Sequence, residues 1–158
     1  MLWDKPMFPD YATLRQERGF SWDVRGSQDA LRALAGVPIR EFNLNPEACI
    51  EAYRKGRPLL RERFGEDVAL PGLSTPAISY GHINGLGCEL RFPEGGEVAP
   101  VPCYSSLEEG IAQLQKPVDF SRQDMAPFYL HFKEEMEKAF PGETVHFSYG
   151  LEGPLTTA

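Results

Sequence analysis

The chain has 158 residues, 42% of them apolar and 25% charged, which allows one ordinary domain with a core and excludes disorder throughout. A formal net charge of −7 argues against a nucleic-acid or anionic-membrane surface, where a basic excess is needed. No apolar run approaches the ~20 residues of a membrane span, and Met1-Leu2-Trp3-Asp4-Lys5-Pro6 lacks the basic start and long apolar run of a secretory signal, so a cytoplasmic protein is expected.

Residues 1–26 read as an irregular arm, with Trp3, Phe8, Tyr11, Phe20 and Trp22 scattered among proline, glycine and charge, packing over a domain of residues 27–158. Ser27 has the form of an N-cap for a short helix through Ala30, Leu31 and Leu34, stopped by Gly36 and Pro38. Asn45-Pro46-Glu47 opens a longer helix with a cap, a first-turn proline and a first-turn acid. Its apolar face is Cys49, Ala52, Tyr53, Leu60 and Phe64, with Pro58 expected to kink it and Gly65 to end it. Asp67 to Leu70 reads as a strand, and Pro76 to Leu86 as a second, poorer helix weakened by Gly81 and Gly85. Cys88 to Phe92 alternates like a strand, Pro93-Glu94-Gly95-Gly96 is a turn, and Val98 to Val101 is an edge partner limited by Pro100 and Pro102. Ser106-Leu107-Glu108-Glu109 has the capping-box form for a helix through Ile111 and Leu114. The clearest helix comes next, its stripe being Met125, Phe128, Tyr129, Phe132, Met136 and Phe140 before Pro141-Gly142. Thr144 to Tyr149, β-branched and aromatic, predicts a strand. Helices alternating with short apolar strands predict an α/β fold built of parallel βαβ units.

No phosphate-binding loop, dinucleotide fingerprint, nucleophile elbow or metal-ligand cluster is present. Cys49, Cys88 and Cys103 are odd in number and widely spaced, so reduced thiols are expected and no disulfide framework is implied. His82 lies in Gly81-His82-Ile83-Asn84-Gly85, where it either lines a pocket or caps a surface. His131 sits beside an apolar stripe as a boundary residue, and His146 faces away from Val145 and Phe147, toward a cleft or as a satisfied structural side chain. Gly150, Glu152, Gly153, Pro154 and Thr156 form a loop of the kind that binds ligands at the C-terminal ends of parallel strands, although a plain turn also accounts for the glycines and proline.

Leu86-Gly87-Cys88-Glu89-Leu90-Arg91-Phe92-Pro93-Glu94-Gly95-Gly96 resembles a segment of the uroporphyrinogen-decarboxylase-like family. The helix after Ser106, Lys116-Pro117-Val118-Asp119 and the glycine-rich Tyr149-Gly150-Leu151-Glu152-Gly153-Pro154-Leu155-Thr156-Thr157-Ala158 are similar to later segments of that family, in the same order. The resemblance covers about residues 27–158 and is strongest from Gly85 onward. It implies a TIM-barrel-like (β/α) fold with a tetrapyrrole-type or related small molecule at the C-terminal mouth. Because a full barrel takes ~250 residues, it implies the N-terminal half of one, in an apparently truncated chain.

In the decarboxylases an arginine-rich N-terminal segment holds substrate carboxylates. Leu14-Arg15-Gln16-Glu17-Arg18-Gly19-Phe20 echoes it, which makes Arg15 and Arg18 the implied substrate contacts. Thr75-Pro76-Ala77-Ile78-Ser79 has no acid where those enzymes place a pyrrole-facing aspartate, pointing to a divergent member. The same family includes methyltransferases that move methyl groups between a corrinoid protein and a thiol. In that alternative, zinc and a corrinoid partner are implied, with metal ligands beyond Ala158 and none within this chain. A non-catalytic binding domain is the third reading.

Overall fold

The computed structural model describes residues 24–150 together with Thr13, Glu17 and Gly19. Arg15, Arg18, Glu152, Gly153, Pro154 and Thr156, and the aromatic arm before Val24, lie outside the described residues.

Short polar side chains start three of the helices where the sequence places them, Ser27, Asn45 and Ser106. Ser27 Oγ accepts from Ala30 N at 3.1 Å and opens α1, Gln28–Leu34. A helix not anticipated from the sequence, α2, Ile39–Leu44, begins directly after Pro38 and buries Phe42 and Asn43. Asn45 then caps α3, Pro46–Phe64, its Oδ1 accepting from Glu47 N at 3.0 Å and Ala48 N at 3.4 Å. Cys49, Ala52, Tyr53 and Leu60 are buried along one face of α3, as the periodicity predicts. Phe64 is not; it lies past the packed surface, half-exposed, with the Arg63 guanidinium over its ring. At Gly56 a β-carbon would stand 2.5 Å from the Leu31 carbonyl oxygen, so only glycine lets α1 and α3 approach this closely.

Val24–Arg25 (β1) pairs in parallel with Val68–Ala69 (β2), Val24 opposite Val68. A second parallel association joins Ser74 to His146 and Ile78 to Tyr149 as isolated bridges. Thr144 to Tyr149 therefore is extended and paired, but not the regular strand its composition predicts, because its partner contains Pro76, which has no N–H to donate. The ladder is patched by a side chain: Ser148 N donates to Thr75 Oγ1 at 2.8 Å. The helix expected from Pro76 shrinks to α4, Gly81–Gly85, since Ile78 N donates to Ser148 O at 3.1 Å and holds those residues extended.

Leu90–Arg91 (β3) and Ala99–Pro100 (β4) form an antiparallel hairpin around the expected turn, with Leu90 opposite Pro100. That register brings Cys88 to within 5.2 Å of Cys103 between α-carbons, and the two form a disulfide. The expectation of three reduced thiols is thus corrected. Two cysteines far apart in sequence become cross-strand neighbours once the hairpin closes, and only Cys49 stays free, buried in the core. Ser106 caps α5, Leu107–Leu114, accepting from Glu109 N, while the Glu109 carboxylate reaches back to Ser105 N at 2.8 Å. No residue of α5 is buried. In contrast, α6, Ala126–Ala139, buries Tyr129, Phe132 and Met136 against Tyr53, Leu73, Ile78 and Val145.

The result is a helix-dominated α/β arrangement with short parallel pairings, covered by α3 and α6, and one antiparallel hairpin. Gln28 ties the first helix to the parallel segment: its Nε2 donates to Ser74 Oγ at 2.7 Å and Tyr53 Oη at 2.8 Å, and its Oε1 accepts from Ala77 N at 3.0 Å. No helix among the described residues is long and apolar enough to cross a membrane.

Candidate functional site

Parallel segments send their C-terminal ends to one side of the molecule, and in α/β folds that side gathers ligands. Here those ends are Ile78 to Gly81 and Tyr149 to Gly150, held together by Gly150 N donating to Ile78 O at 2.7 Å. Tyr149 packs flat over Gly81, where a β-carbon would come within 2.6 Å of its ring, so glycine is required for the contact. The Tyr149 hydroxyl donates to Asn84 Oδ1, which also accepts from Met125 N at 3.0 Å, while Asn84 Nδ2 donates to Cys88 O at 2.9 Å. Asn84 thereby joins α4, the start of the hairpin and the start of α6. Burial, aided by the Asp124 charge, pushes the Tyr149 hydroxyl up to about 12.

Beside this junction is an apolar recess of about 320 Å³ walled by Gly81, His82, Phe120, Leu130, Phe147 and Tyr149. Phe147, Phe120 and Leu130 each keep more than a third of their surface exposed there. His82 Nδ1 is buried with no hydrogen-bond partner among the described residues. An aromatic-walled recess of this kind can accept a flat apolar group against its rings.

Of the residues singled out from the sequence, the structure brings His82 and Gly150 to this end of the parallel segments. His146 is exposed and its main chain bridges Leu73 and Thr75, with His146 N donating to Leu73 O at 2.9 Å; its side chain does not line the recess. Gly150 has room for a β-carbon, the nearest atom being Ile78 O at 3.6 Å, so close packing does not demand glycine there. His131 is exposed on α6 beside Glu134 and Glu135. Sequence reasoning missed Asn84, Phe120, Phe147 and Tyr149 as site residues. The signal available was an asparagine inside a short glycine-flanked helix, a place where a buried amide must be serving several partners.

Among the described residues no group of three or more His, Cys, Asp or Glu side chains is placed to hold a metal ion. Compared with protein-family models, with curated proteins and with solved structures, the chain matches none.

Proposed function

We propose that residues 27–158 form the N-terminal half of a uroporphyrinogen-decarboxylase-like (β/α) barrel and that the ends of segments 73–78 and 145–149 contribute to a mouth for a tetrapyrrole-type or related flat small molecule. The observation that carries this reading is one-sided cover. Val145 and Tyr149 point to the helical layer, the Tyr149 ring lying tilted at 35° with its centroid 5.5 Å from that of Tyr129 of α6, whereas His146 between them is open to solvent. In a (β/α) barrel alternate side chains meet outer helices and the others face the interior.

On this reading Phe120, Phe147 and Tyr149 supply stacking surface for a planar ring, with His82 lining the same recess. The carboxylate-binding role falls to Arg15 and Arg18. Decarboxylation also needs an acid to stabilise charge developing on the pyrrole, and residues 75–79 offer none. The chain by itself is therefore a binder without turnover.

The test is anaerobic calorimetric titration of the chain with uroporphyrinogen, with product analysis of the same mixture. Saturable binding that weakens at least about tenfold in Phe147→Ala and in His82→Ala is expected, with no carboxylate lost from the ligand. A folded chain that shows no saturable binding overturns the proposal, and turnover above an enzyme-free control overturns the assignment as a binder alone.

A further inference from the structure

The Cys88–Cys103 bond joins two unlike places. Cys88 is 6% exposed, and its backbone is fixed to α4 on both sides. Its N–H donates to Ile83 O at 3.2 Å and its carbonyl accepts from Asn84 Nδ2 at 2.9 Å. Cys103 is exposed and leads into residues 104–122, none of which is buried.

Little else holds that segment. Among the described residues, one hydrogen bond ties it to the rest of the chain, from the Tyr104 hydroxyl to Leu86 O at 2.6 Å. Its other side-chain bonds are internal, Ser105 with Glu109, Glu109 with Ser106 and Ser121 with Asp119. Near its far end Phe120 rests on α4, where a β-carbon at Gly85 would stand 2.2 Å from the ring. The same ring is a wall of the apolar recess.

The segment also contains α5, which buries no residue. A helix of eight residues does not persist in water without a scaffold. Regions with few buried contacts are the ones that open locally while the rest of a fold stays closed. The disulfide is therefore the one covalent tether between a firmly held α4 junction and a segment with little hold of its own.

We propose that this bond is a redox latch. While it is formed, residues 104–122 are held as a flap with Phe120 walling the recess; when a dithiol reduces it, the flap comes free and the recess loses that wall. A thiolate of the dithiol attacks the accessible Cys103 Sγ, and the electron pair of the S–S bond leaves on Cys88 Sγ, which takes up a proton. The second thiol of the dithiol then attacks its own sulfur in the mixed disulfide and expels Cys103 as a thiolate, which is also protonated. The chain gains two electrons and two protons, and the dithiol becomes a cyclic disulfide. The latch does not depend on the function proposed for the recess, since it concerns a wall and not what the wall binds.

The experiment is amide exchange read by mass spectrometry on the full chain, oxidised, reduced with dithiothreitol, and reoxidised. Reduction should speed exchange in peptides from 104–122 by a factor at least about tenfold larger than in those of α3 and α6, and reoxidation should restore the starting rates. Cys103→Ser should show the fast flap without reductant and should not respond to dithiothreitol. Unchanged exchange in 104–122 on reduction overturns the proposal. So does equal acceleration throughout the chain, which would make the bond a general staple, or a response of Cys103→Ser to the reductant.

Discussion

An asparagine removed from water costs several kcal/mol unless its amide finds partners. Asn84, 2% exposed, meets that cost with Met125 N, the Tyr149 hydroxyl and Cys88 O. Asn84→Ala leaves all three partners unpaired and should lower stability by about 3 kcal/mol or more; an unchanged urea midpoint would show that the junction is not structural. The tyrosines provide a pH handle. Burial raises the hydroxyls of Tyr53 and Tyr129, and Tyr149 rises from 10.0 to about 12. A group whose folded pKa is raised contributes stability that is intact below the unfolded value and is lost as pH climbs through the folded one. The melting temperature should therefore hold up to about pH 10 and fall between about pH 10 and 12. Tyrosinate absorbance should show these three hydroxyls ionising only as the fold opens. If all six tyrosines titrate near 10 with the fold intact, the burial argument fails.

Among the elements, the contact of α1 with α3 makes the sharpest prediction. Alanine at Gly56 gains about 1 kcal/mol of helix propensity, but its methyl would press on the Leu31 backbone, which cannot rotate aside. Gly56→Ala should be net destabilising by about 1–3 kcal/mol, and a raised melting temperature would refute the close approach. The disulfide closes a loop spanning a separation of 15 residues. Cys103→Ser, or reduction, should cost up to about 3 kcal/mol on the chain-entropy account, and thiol titration of the unreduced chain should find Cys49 alone, after unfolding. Disulfides persist mainly in oxidising compartments, so this bond sits poorly with the cytoplasmic setting expected from the N-terminus. Legible in the sequence was whatever depends on neighbours along the chain: the caps Ser27, Asn45 and Ser106, the stripe of α6, the turn at Pro93–Gly96. The Cys88–Cys103 bond, the Asn84 junction and the interrupted pairing at Pro76 were not legible, because each depends on which distant segment arrives beside it. The recess was half visible, through His82, while Phe147 and Tyr149 of its walls read only as residues of a strand.

At the level of the whole molecule, the outer surface of α5 stands out, with Leu107 74%, Ile111 48% and Leu114 62% exposed at a four-three spacing. Two copies of this helix laid antiparallel would set Leu107 against Leu114 and bring Glu108 near Lys116, a self-complementary seam. The extended segment 145–149 adds backbone groups suited to pairing with another chain. The net charge of −7 opposes association only weakly at physiological salt. Self-association at tens of micromolar is expected by light scattering behind a sizing column, and Ile111→Glu should reduce it. A sharp monomer peak with cooperative thermal unfolding from the unsubstituted chain would contradict both the seam and the half-barrel reading. The parallel bridges also bear on how quickly this chain finds its structure. Ser74 and His146 are roughly 70 residues apart, and closing so long a loop is paid in entropy before any hydrogen bond is made. The helices and the hairpin, made of local contacts, should form first, and joining 73–78 to 145–149 should be the late step that limits refolding. Pulse-labelled amide exchange would then find Ile78 and Gly150 protected after the amides of α3 and α6.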